Sequence, residues 1–419
     1  MLLDLRLYLT IAGIFLYGLG VPFISRLMMA SLLGFGLIWA LVSKESFLRL
    51  TFSRNFFGRL ILLIIFVLVY YGLSFEYGIF PLKDCLISVV SILSAYALGY
   101  LLNYAALPRF PQNVSYIVLS VAAGGAVFVF LSVNLTLGGK LGSGIPDRFA
   151  QNFWRFIDPN QRPIFGPSLD IYNTLGASVL SLLIWGFSNE ISRRSYLVAG
   201  IGAASISTMA LFSSIALQGR KPLLALILSA GLGYLLTLYH TPRDLKKLLT
   251  PILAFGFIAV LTILIIPLLN ESADQFLLFQ RFTSEGLETP RYLLWMTVLG
   301  ELPENPLGGQ LIKLPLGEEH AHNIWLDAAY DAGIPALLLL VSFHLSHLTD
   351  FASVIFSKKI PLLVCLSISS ALIGFLIPFQ VEPIMHSSTT FFALSFFFLG
   401  LVTSLAEWLR LPGEESNAN

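Results

Sequence analysis

Uninterrupted apolar runs about as long as a bilayer is thick recur along the whole 419-residue chain. The hydrocarbon core of a membrane is about 30 Å thick, so a helix needs about 20 apolar residues to cross it. Only 12% of the residues are charged and 56% are hydrophobic, which excludes a disordered chain, a nucleic-acid-binding protein and an ordinary soluble enzyme. The sequence therefore predicts an all-α polytopic membrane protein.

Twelve runs meet this requirement, and they predict about twelve transmembrane helices in one integral membrane domain that covers residues 1–419. They are, in chain order, Leu7–Ile24, Leu27–Val42, Leu60–Phe75, Cys85–Leu107, Val114–Val133, Leu169–Phe187, Tyr196–Leu217, Pro222–Tyr239, Pro251–Leu269, Ile324–Phe343, Ile360–Phe379 and Thr389–Ala406.

The distribution of Lys and Arg predicts the orientation, because basic residues accumulate in short cytoplasmic loops. If twelve spans are counted, the basic short loops all fall on one side, as with Arg193–Arg194 and Lys358–Lys359. We therefore expect both termini to be cytoplasmic.

Two long loops and one tight turn then lie on the external face. The loops cover residues 134–168 and 270–323, and the turn carries Arg220 and Lys221 between two apolar runs. A loop cation is usually no more than a solvated charge. A cation pair this close to the membrane generally needs an anionic partner, so we expect one for Arg220 and Lys221.

The first long loop contains an aromatic-rich segment that ends at Ile157. Its apolar residues recur at helical spacing, which predicts an amphipathic helix lying in the membrane interface. Arg148 and Arg155 are seven residues apart and would share one face of that helix. That face would bind either a substrate or lipid headgroups.

The second long loop is the richest in polar residues and is the predicted location of the active site. Arg291–Gly300 follows a proline and carries an apolar stripe, which predicts a short helix. Asn323 immediately precedes the tenth apolar run and is a predicted N-cap.

Three interpretations of His320 and His322 remain open. They could be interfacial histidines without a chemical role. They could form a metal site with Glu318 and Glu319, although two histidines at this spacing do not share a helix face. One of them could be a general base at the membrane surface, because imidazole titrates near neutral pH, with nearby arginines holding a phosphate leaving group.

Four short motifs carry a resemblance to a known family. They are Gln218-Gly219-Arg220-Lys221, Thr289-Pro290-Arg291 with Trp295, Asn305-Pro306-Leu307-Gly308, and His322-Asn323 with Leu326, Asp331 and Gly333. In this order they resemble the S-R-G, G-R-x-x-x-W, N-P-L-x-G and H-N-x-x-L…G elements of the O-antigen ligase and polymerase superfamily. Gly219 and Lys221 depart from that pattern, in which Ser and Gly are usual at these places.

The resemblance implies a GT-C-type glycosyltransferase fold and an active site on the periplasmic face of the bacterial inner membrane. It implies transfer of a polysaccharide from undecaprenyl pyrophosphate to lipid A–core, with inversion and with no metal or cofactor. His322 would be the base, and Arg220 and Arg291 would bind the pyrophosphate. Lys221, His320 and Asn323 are further candidates for substrate binding.

Other functions share parts of this pattern. Polysaccharide polymerases and protein O-oligosaccharyltransferases of the same superfamily use the same donor and differ in the acceptor. A twelve-span transporter is an alternative of a different class, but the sequence lacks the inverted repeat that many transporters carry.

Overall fold

The computed structural model describes residues 2–20, 33–34, 38, 53–105, 113–138, 149–157, 159–160, 162–182, 194–240 and 291–410. These residues are mostly helical. The α-helices are α1 (Leu2–Gly18), α2 (Arg54–Glu76), α3 (Leu82–Ala105), α4 (Asn113–Leu137), α5 (Gly166–Ser178), α6 (Arg194–Leu217), α7 (Lys221–His240), α8 (Arg291–Glu301), α9 (Ile324–Leu345), α10 (Leu348–Ile355), α11 (Leu362–Val381), α12 (Ile384–Ser387) and α13 (Thr389–Arg410).

Eight stretches of the described chain are helical, long enough and apolar enough to cross a membrane, so the protein is an all-α polytopic membrane protein. They are Arg54–Glu76, Leu82–Leu102, Asn113–Leu137, Gly200–Leu217, Lys221–His240, Ile324–Ile355, Leu362–Val381 and Thr389–Arg410. Each coincides with one of the twelve predicted spans, and α1 contains a shorter apolar stretch, Tyr8–Gly18.

The described residues cover the other predicted spans only in part. Pro251–Leu269 and nearly all of Leu27–Val42 lie outside the described residues. The predicted span Leu169–Phe187 begins within α5, which has 13 residues, and its last residues also lie outside. The count of twelve therefore stays a prediction.

Close backbone approach holds the most enclosed helix, α13, against α3. A Cβ atom on Gly99 of α3 would collide with the carbonyl oxygen of Phe397, and one on Gly400 of α13 would collide with that of Tyr96. Small residues at helix contacts are the usual means of association in membranes, where lipid tails are as apolar as the side chains. This contact fixes α13 and thereby the α11–α13 connection, which contributes to the candidate site.

A break near the start of α9 shapes the end of the helix bundle where the loop after α8 lies. Pro335 has no N–H to donate to the carbonyl of Asp331, and its ring disfavours a helical conformation for the preceding residue. The helix breaks at Ala332 and Gly333, whose φ angles are −130° and +77°. Backbone groups of the first two turns of α9 are therefore left without partners inside the helix.

The loop after α8 supplies the missing partners. Gly309 N donates to Asp331 O at 2.9 Å, and Gln310 N donates to Tyr330 O at 3.0 Å. In the other direction, Ile334 N donates to the carbonyl of Pro306 at 2.9 Å. The segment from the N-P-L-G motif to Gln310 and the break in α9 thus satisfy each other's backbone hydrogen bonds.

The predicted interfacial helix in the first long loop is wrong. Phe149–Ala150 is a short strand, β1, that pairs antiparallel with β2, Ile164–Phe165, and the described residues between them form one helical turn, the 3-10 helix Phe153–Phe156. Polar atoms at the end of α4 hold this segment extended: Gln151 N donates to Thr136 Oγ1 at 2.7 Å, and Phe153 N donates to Ser132 Oγ at 3.1 Å. Contacts outside the segment therefore override its helical periodicity.

The expectation that Arg148 and Arg155 share one face stays a prediction. Arg155 is exposed on the 3-10 turn, and Arg148 lies outside the described residues. Exposed aromatic rings surround this turn, including Phe149 and Phe156.

We predict that Gly333→Ala destabilises the protein. The added Cβ would collide with the carbonyl of Pro306, and the residue would keep a left-handed φ. Together these effects should lower the free energy of unfolding by about 2–4 kcal/mol. Thermal unfolding of the purified protein measures the loss.

Gly300→Ala is the matched control for this substitution. Gly300 lies in α8 with open space around its Cα, so alanine there should stabilise the helix by roughly 1 kcal/mol. An unchanged unfolding temperature for Gly333→Ala would contradict the role assigned to the break.

Candidate active site

Two cations from distant parts of the sequence meet at one buried carboxylate. Lys221 is the first residue of α7, Arg291 is the first residue of α8, and Glu382 directly follows α11. Lys221 Nζ lies 2.7 Å from Glu382 Oε1, and Arg291 Nη2 lies 3.4 Å from the same oxygen. We call Lys221, Arg291 and Glu382 the cation cluster. Arg220 precedes Lys221 and is partly buried.

A second carboxylate, that of Asp170, explains why position 219 holds glycine and not serine. Asp170 of α5 is buried, accepts a hydrogen bond from Ser214 and lies 3.6 Å from Lys221 Nζ. A Cβ atom on Gly219 would collide with the Asp170 carboxylate. Serine therefore cannot occupy position 219 unless Asp170 moves, and Asp170 in turn supplies a partner for the extra cation, Lys221.

Asn323 connects the start of α9 to the cation cluster. Its side-chain oxygen accepts hydrogen bonds from the backbone N–H groups of Trp325 and Leu326, which confirms the predicted N-cap. Its side-chain nitrogen donates to Gln380 Oε1 at 3.1 Å. Gln380 is two residues from Glu382, so the His322–Asn323 turn lies beside the cation cluster.

His322 is held in a backbone conformation that is uncommon for residues other than glycine. Its φ is +55°, in the left-handed region, and both neighbours are fixed. On one side, Ala321 N donates to Asp327 Oδ1 at 2.8 Å, and Ala321 O accepts from Trp295 Nε1 at 2.9 Å. On the other side is the Asn323 cap. A strained backbone held by its surroundings is typical of functional positions.

Trp295 and the predicted helix that carries it have a clear structural role. The prediction of a helix over Arg291–Gly300 is confirmed by α8, which extends to Glu301. Its apolar face is also confirmed, since Leu294 and Val298 are buried. Helix α8 thus places Arg291 in the cation cluster and Trp295 against the turn that carries His322.

The side chain of His322 faces a carboxylate of its own loop. Its Nε2 lies 3.3 Å from Glu318 Oε2, while its Nδ1 is buried and has no hydrogen-bond partner. Glu318 and His322 do not join a group of three or more potential metal ligands, and the described residues contain no such group.

His320 lies in a separate cluster that contains a histidine not singled out by the sequence. Its ring stacks on that of His386 from α12, with centroids 4.0 Å apart and planes at 25°. His386 Nε2 lies 2.7 Å from Asp331 Oδ2. The same carboxylate accepts from Tyr70 Oη at 2.7 Å and from Gln310 Nε2 at 2.9 Å. We call these five residues the histidine cluster.

The two stacked histidines differ in protonation. Burial, reinforced by neighbouring His386, lowers the pKa of His320 to about 4. Burial also opposes the charged form of His386, but the Asp331 carboxylate outweighs that effect and raises the pKa of His386 above the ordinary value of 6.5. His320 is therefore neutral at physiological pH, and His386 is the ring of the pair that protonates first as the pH falls.

An apolar cavity of about 440 Å³ opens within the membrane-spanning part, between α9, α11 and α13. Its lining is almost entirely apolar, with Phe375, Phe379 and Phe398 among the contributors. Trp325 and Gln380 also line it, and Gln380 is bonded to Asn323. The cavity therefore ends next to the His322–Asn323 turn.

Sequence reasoning missed Asp170, Glu382 and His386. Each is an isolated ionisable residue within or beside an apolar run, and none has a motif of its own. An ionisable residue in such a run is itself a signal of function, because it is costly unless paired. Comparison with known proteins finds no matching family model and no matching curated protein.

We predict that the two stacked histidines titrate far apart. In an NMR titration of histidine-labelled protein, His320 should titrate near pH 4 and His386 above pH 6.5. Asp331→Asn should move the pKa of His386 below 6.5, because burial then dominates. Equal titration of both rings near pH 6.5 would contradict the assignment.

The same shifts predict how stability changes with pH. The contribution of the Asp331–His386 pair is present below about pH 6.5 and is lost as pH rises through the raised pKa of His386. His320 acts oppositely, because its folded form resists protonation. Its contribution falls as pH falls from 6.5 toward 4.

Proposed function

We propose that this protein is a membrane glycosyltransferase of the O-antigen ligase type. It would transfer a polysaccharide from undecaprenyl pyrophosphate to lipid A–core, without a metal and with inversion, on the periplasmic face of the inner membrane. A GT-C-type fold with twelve spans is part of this proposal. The observation that carries it is the convergence of Lys221 and Arg291 beside the strained His322–Asn323 turn.

The cation cluster suits a diphosphate. An arginine binds phosphate oxygens through two parallel N–H donors, and a lysine adds a compact point charge. Both cations are the first residues of their helices, where backbone N–H groups also favour an anion. Arg220, adjacent to Lys221, adds a third cation to this end of the bundle.

The apolar cavity suits part of the isoprenoid tail of the donor. A lipid-linked donor needs an apolar groove within the membrane and cations at the level of the headgroups. The cavity of about 440 Å³ meets the first requirement, and its end at Gln380 lies two residues from Glu382. The tail and the diphosphate would thus occupy neighbouring parts of one site.

His322 would act as the base. The acceptor hydroxyl forms the new bond to the anomeric carbon, the bond from that carbon to the phosphate oxygen breaks, and undecaprenyl pyrophosphate leaves with the electron pair. His322 takes the hydroxyl proton, and Glu318, 3.3 Å away, stabilises the resulting imidazolium. A diphosphate is a good leaving group once its charge is neutralised. The main requirement that remains is removal of the proton from the acceptor hydroxyl.

Reconstitution with two acceptors tests the function. The purified protein in proteoliposomes receives an undecaprenyl pyrophosphate glycan together with lipid A–core or with a second lipid-linked repeat unit. Transfer to lipid A–core supports a ligase, and joining of two repeat units supports the polymerase alternative. Absence of transfer to both, together with movement of the lipid-linked glycan across the membrane, would favour a transporter. Chelators should have no effect on the rate.

We predict that Arg220→Ala and Arg291→Ala abolish transfer. Loss of one charge-assisted contact should cost roughly 1.5–3 kcal/mol of binding. Lysine at either position should restore activity poorly, because an ammonium group cannot make two parallel bonds to a phosphate. Lys221→Ala should have a smaller effect. Arg162→Ala, at an exposed arginine, is the matched control and should keep full activity. Near-normal rates for both alanine variants would remove the support for a diphosphate site.

We predict unequal roles for the two histidines of the external loop. His322→Ala should lose about 10²–10⁴-fold in rate while remaining folded, because general-base assistance is worth that much. His320→Ala should be partly active, because its ring stacks on His386 away from Glu318. The two variants are compared by their transfer rates, measured at equal expression with the same donor. An inactive His320→Ala with a normal His322→Ala would show that the base is misassigned.

A further inference from the structure

The histidine cluster is built around a fully buried carboxylate with three hydrogen-bond donors. Tyr70, Gln310 and His386 all point a donor at Asp331, which has no exposed surface. The backbone of Asp331 is fixed as well, because its carbonyl accepts from Gly309 N at the break in α9. The carboxylate therefore fixes the orientation of the His386 ring.

Some polar atoms of the histidine cluster and of Asp327 have no hydrogen-bond partner among the described residues. Nε2 of His386 is taken by Asp331, and no described residue bonds its Nδ1, although the side chain is 12% exposed. Nδ1 of His320 and Oδ2 of the fully buried Asp327 also have no hydrogen-bond partner within the described chain. Buried polar groups are normally paired, so unpaired ones beside an oriented imidazole indicate a place for a polar ligand.

The charge of the histidine cluster excludes the ligand proposed for the cation cluster. The groups that act on His386 electrostatically are the carboxyl groups of Asp331, Asp327 and Glu319. Tyr70 and His320, which also face it, add no positive charge at physiological pH. The cluster therefore offers a diphosphate no surplus of positive charge, whereas hydroxyl groups can both donate to and accept from such atoms.

The two clusters are nevertheless close enough to serve one reaction. Glu382 and His386 are four residues apart, so they are separated by at most about 14 Å of chain. His322 belongs to the segment that joins them, since Asn323 is bonded to Gln380 and His320 is stacked on His386.

We propose that His386, oriented by Asp331 and flanked by His320, forms the subsite for the hydroxyl-rich carbohydrate of the acceptor. This inference rests on the proposed glycosyl transfer and assigns the acceptor side of the same site. The Nδ1 atom of His386 binds an acceptor hydroxyl, and His322 lies between that hydroxyl and the diphosphate. His386 is a binding and positioning residue, whereas the proton goes to His322.

His386→Gln is the discriminating variant, because the amide of glutamine can reproduce the Nε2 donor to Asp331 but has no counterpart of Nδ1. Two kinds of dissociation constant are measured in nanodiscs: the constant for undecaprenyl pyrophosphate, and the constant for each of the two acceptor probes, lipid A–core and a lipid-linked repeat unit. The variant should bind the acceptor probe about tenfold to a hundredfold more weakly and bind undecaprenyl pyrophosphate as the wild type does. In the transfer assay, the KM for the acceptor should rise while the KM for the donor is unchanged.

His240→Gln is the matched control. His240 ends α7, 19 residues from Lys221, so it lies roughly 30 Å from the cation cluster along that helix. It should leave both constants unchanged. His386→Asn, which can place a nitrogen near the position of Nδ1, should recover part of the acceptor affinity. Gln310→Ala, which loosens Asp331 without touching the ring, should give an intermediate loss.

The outcomes separate the two proposals. Unchanged affinity of His386→Gln for both acceptor probes, or equal weakening of donor and acceptor, would overturn the acceptor subsite. Failure of the wild type to bind undecaprenyl pyrophosphate or to transfer would refute the proposed function instead. The acceptor-binding comparison would still decide the role of His386 in that case.

Discussion

The missing N–H group of Pro335 is the constraint on which the end of the bundle with the candidate site depends. One helix of the bundle cannot continue its hydrogen bonds past this residue, and the freed groups must find partners in a region that offers little water. The loop after α8 provides them with its own backbone, and only glycine fits at the closest contacts, Gly308 and Gly333. Because the loop is docked there, Gln310 reaches Asp331.

Opposite charges are distributed along a short connection. Between α11 and α13 the chain places Glu382 against two cations and, four residues later, His386 against a carboxylate. Each buried charge thus has a partner of the other sign, as the cost of burial requires. The contact of α13 with α3 through Gly99 and Gly400 holds this connection still, so both clusters depend on helix packing far from them in sequence.

Local patterns predicted the features that depend on neighbours along the chain. Apolar runs located the spans, periodicity located α8, and residue type located the cap at Asn323. The partners of Arg291 and Lys221 could not be located in this way, because Glu382 approaches them only through the packing of α11. The prediction of a helix in the segment before Ile157 was wrong for a related reason. Hydroxyl groups of α4 accept hydrogen bonds from the backbone of this segment and hold it extended.

Glu382 has a consequence for the cycle of ligand exchange. A cation left alone after its anion departs would be very costly in a site shielded from water. Lys221 and Arg291 have an internal counter-ion at hand, so an arriving anion replaces a carboxylate and a departing one is replaced by it. When one anion replaces another, Lys221 and Arg291 change partners but always keep a negative partner. The barrier to release of a bound anion would therefore be lower. In the proposed reaction, Glu382 would therefore weaken diphosphate binding at equilibrium and also keep the product from remaining bound.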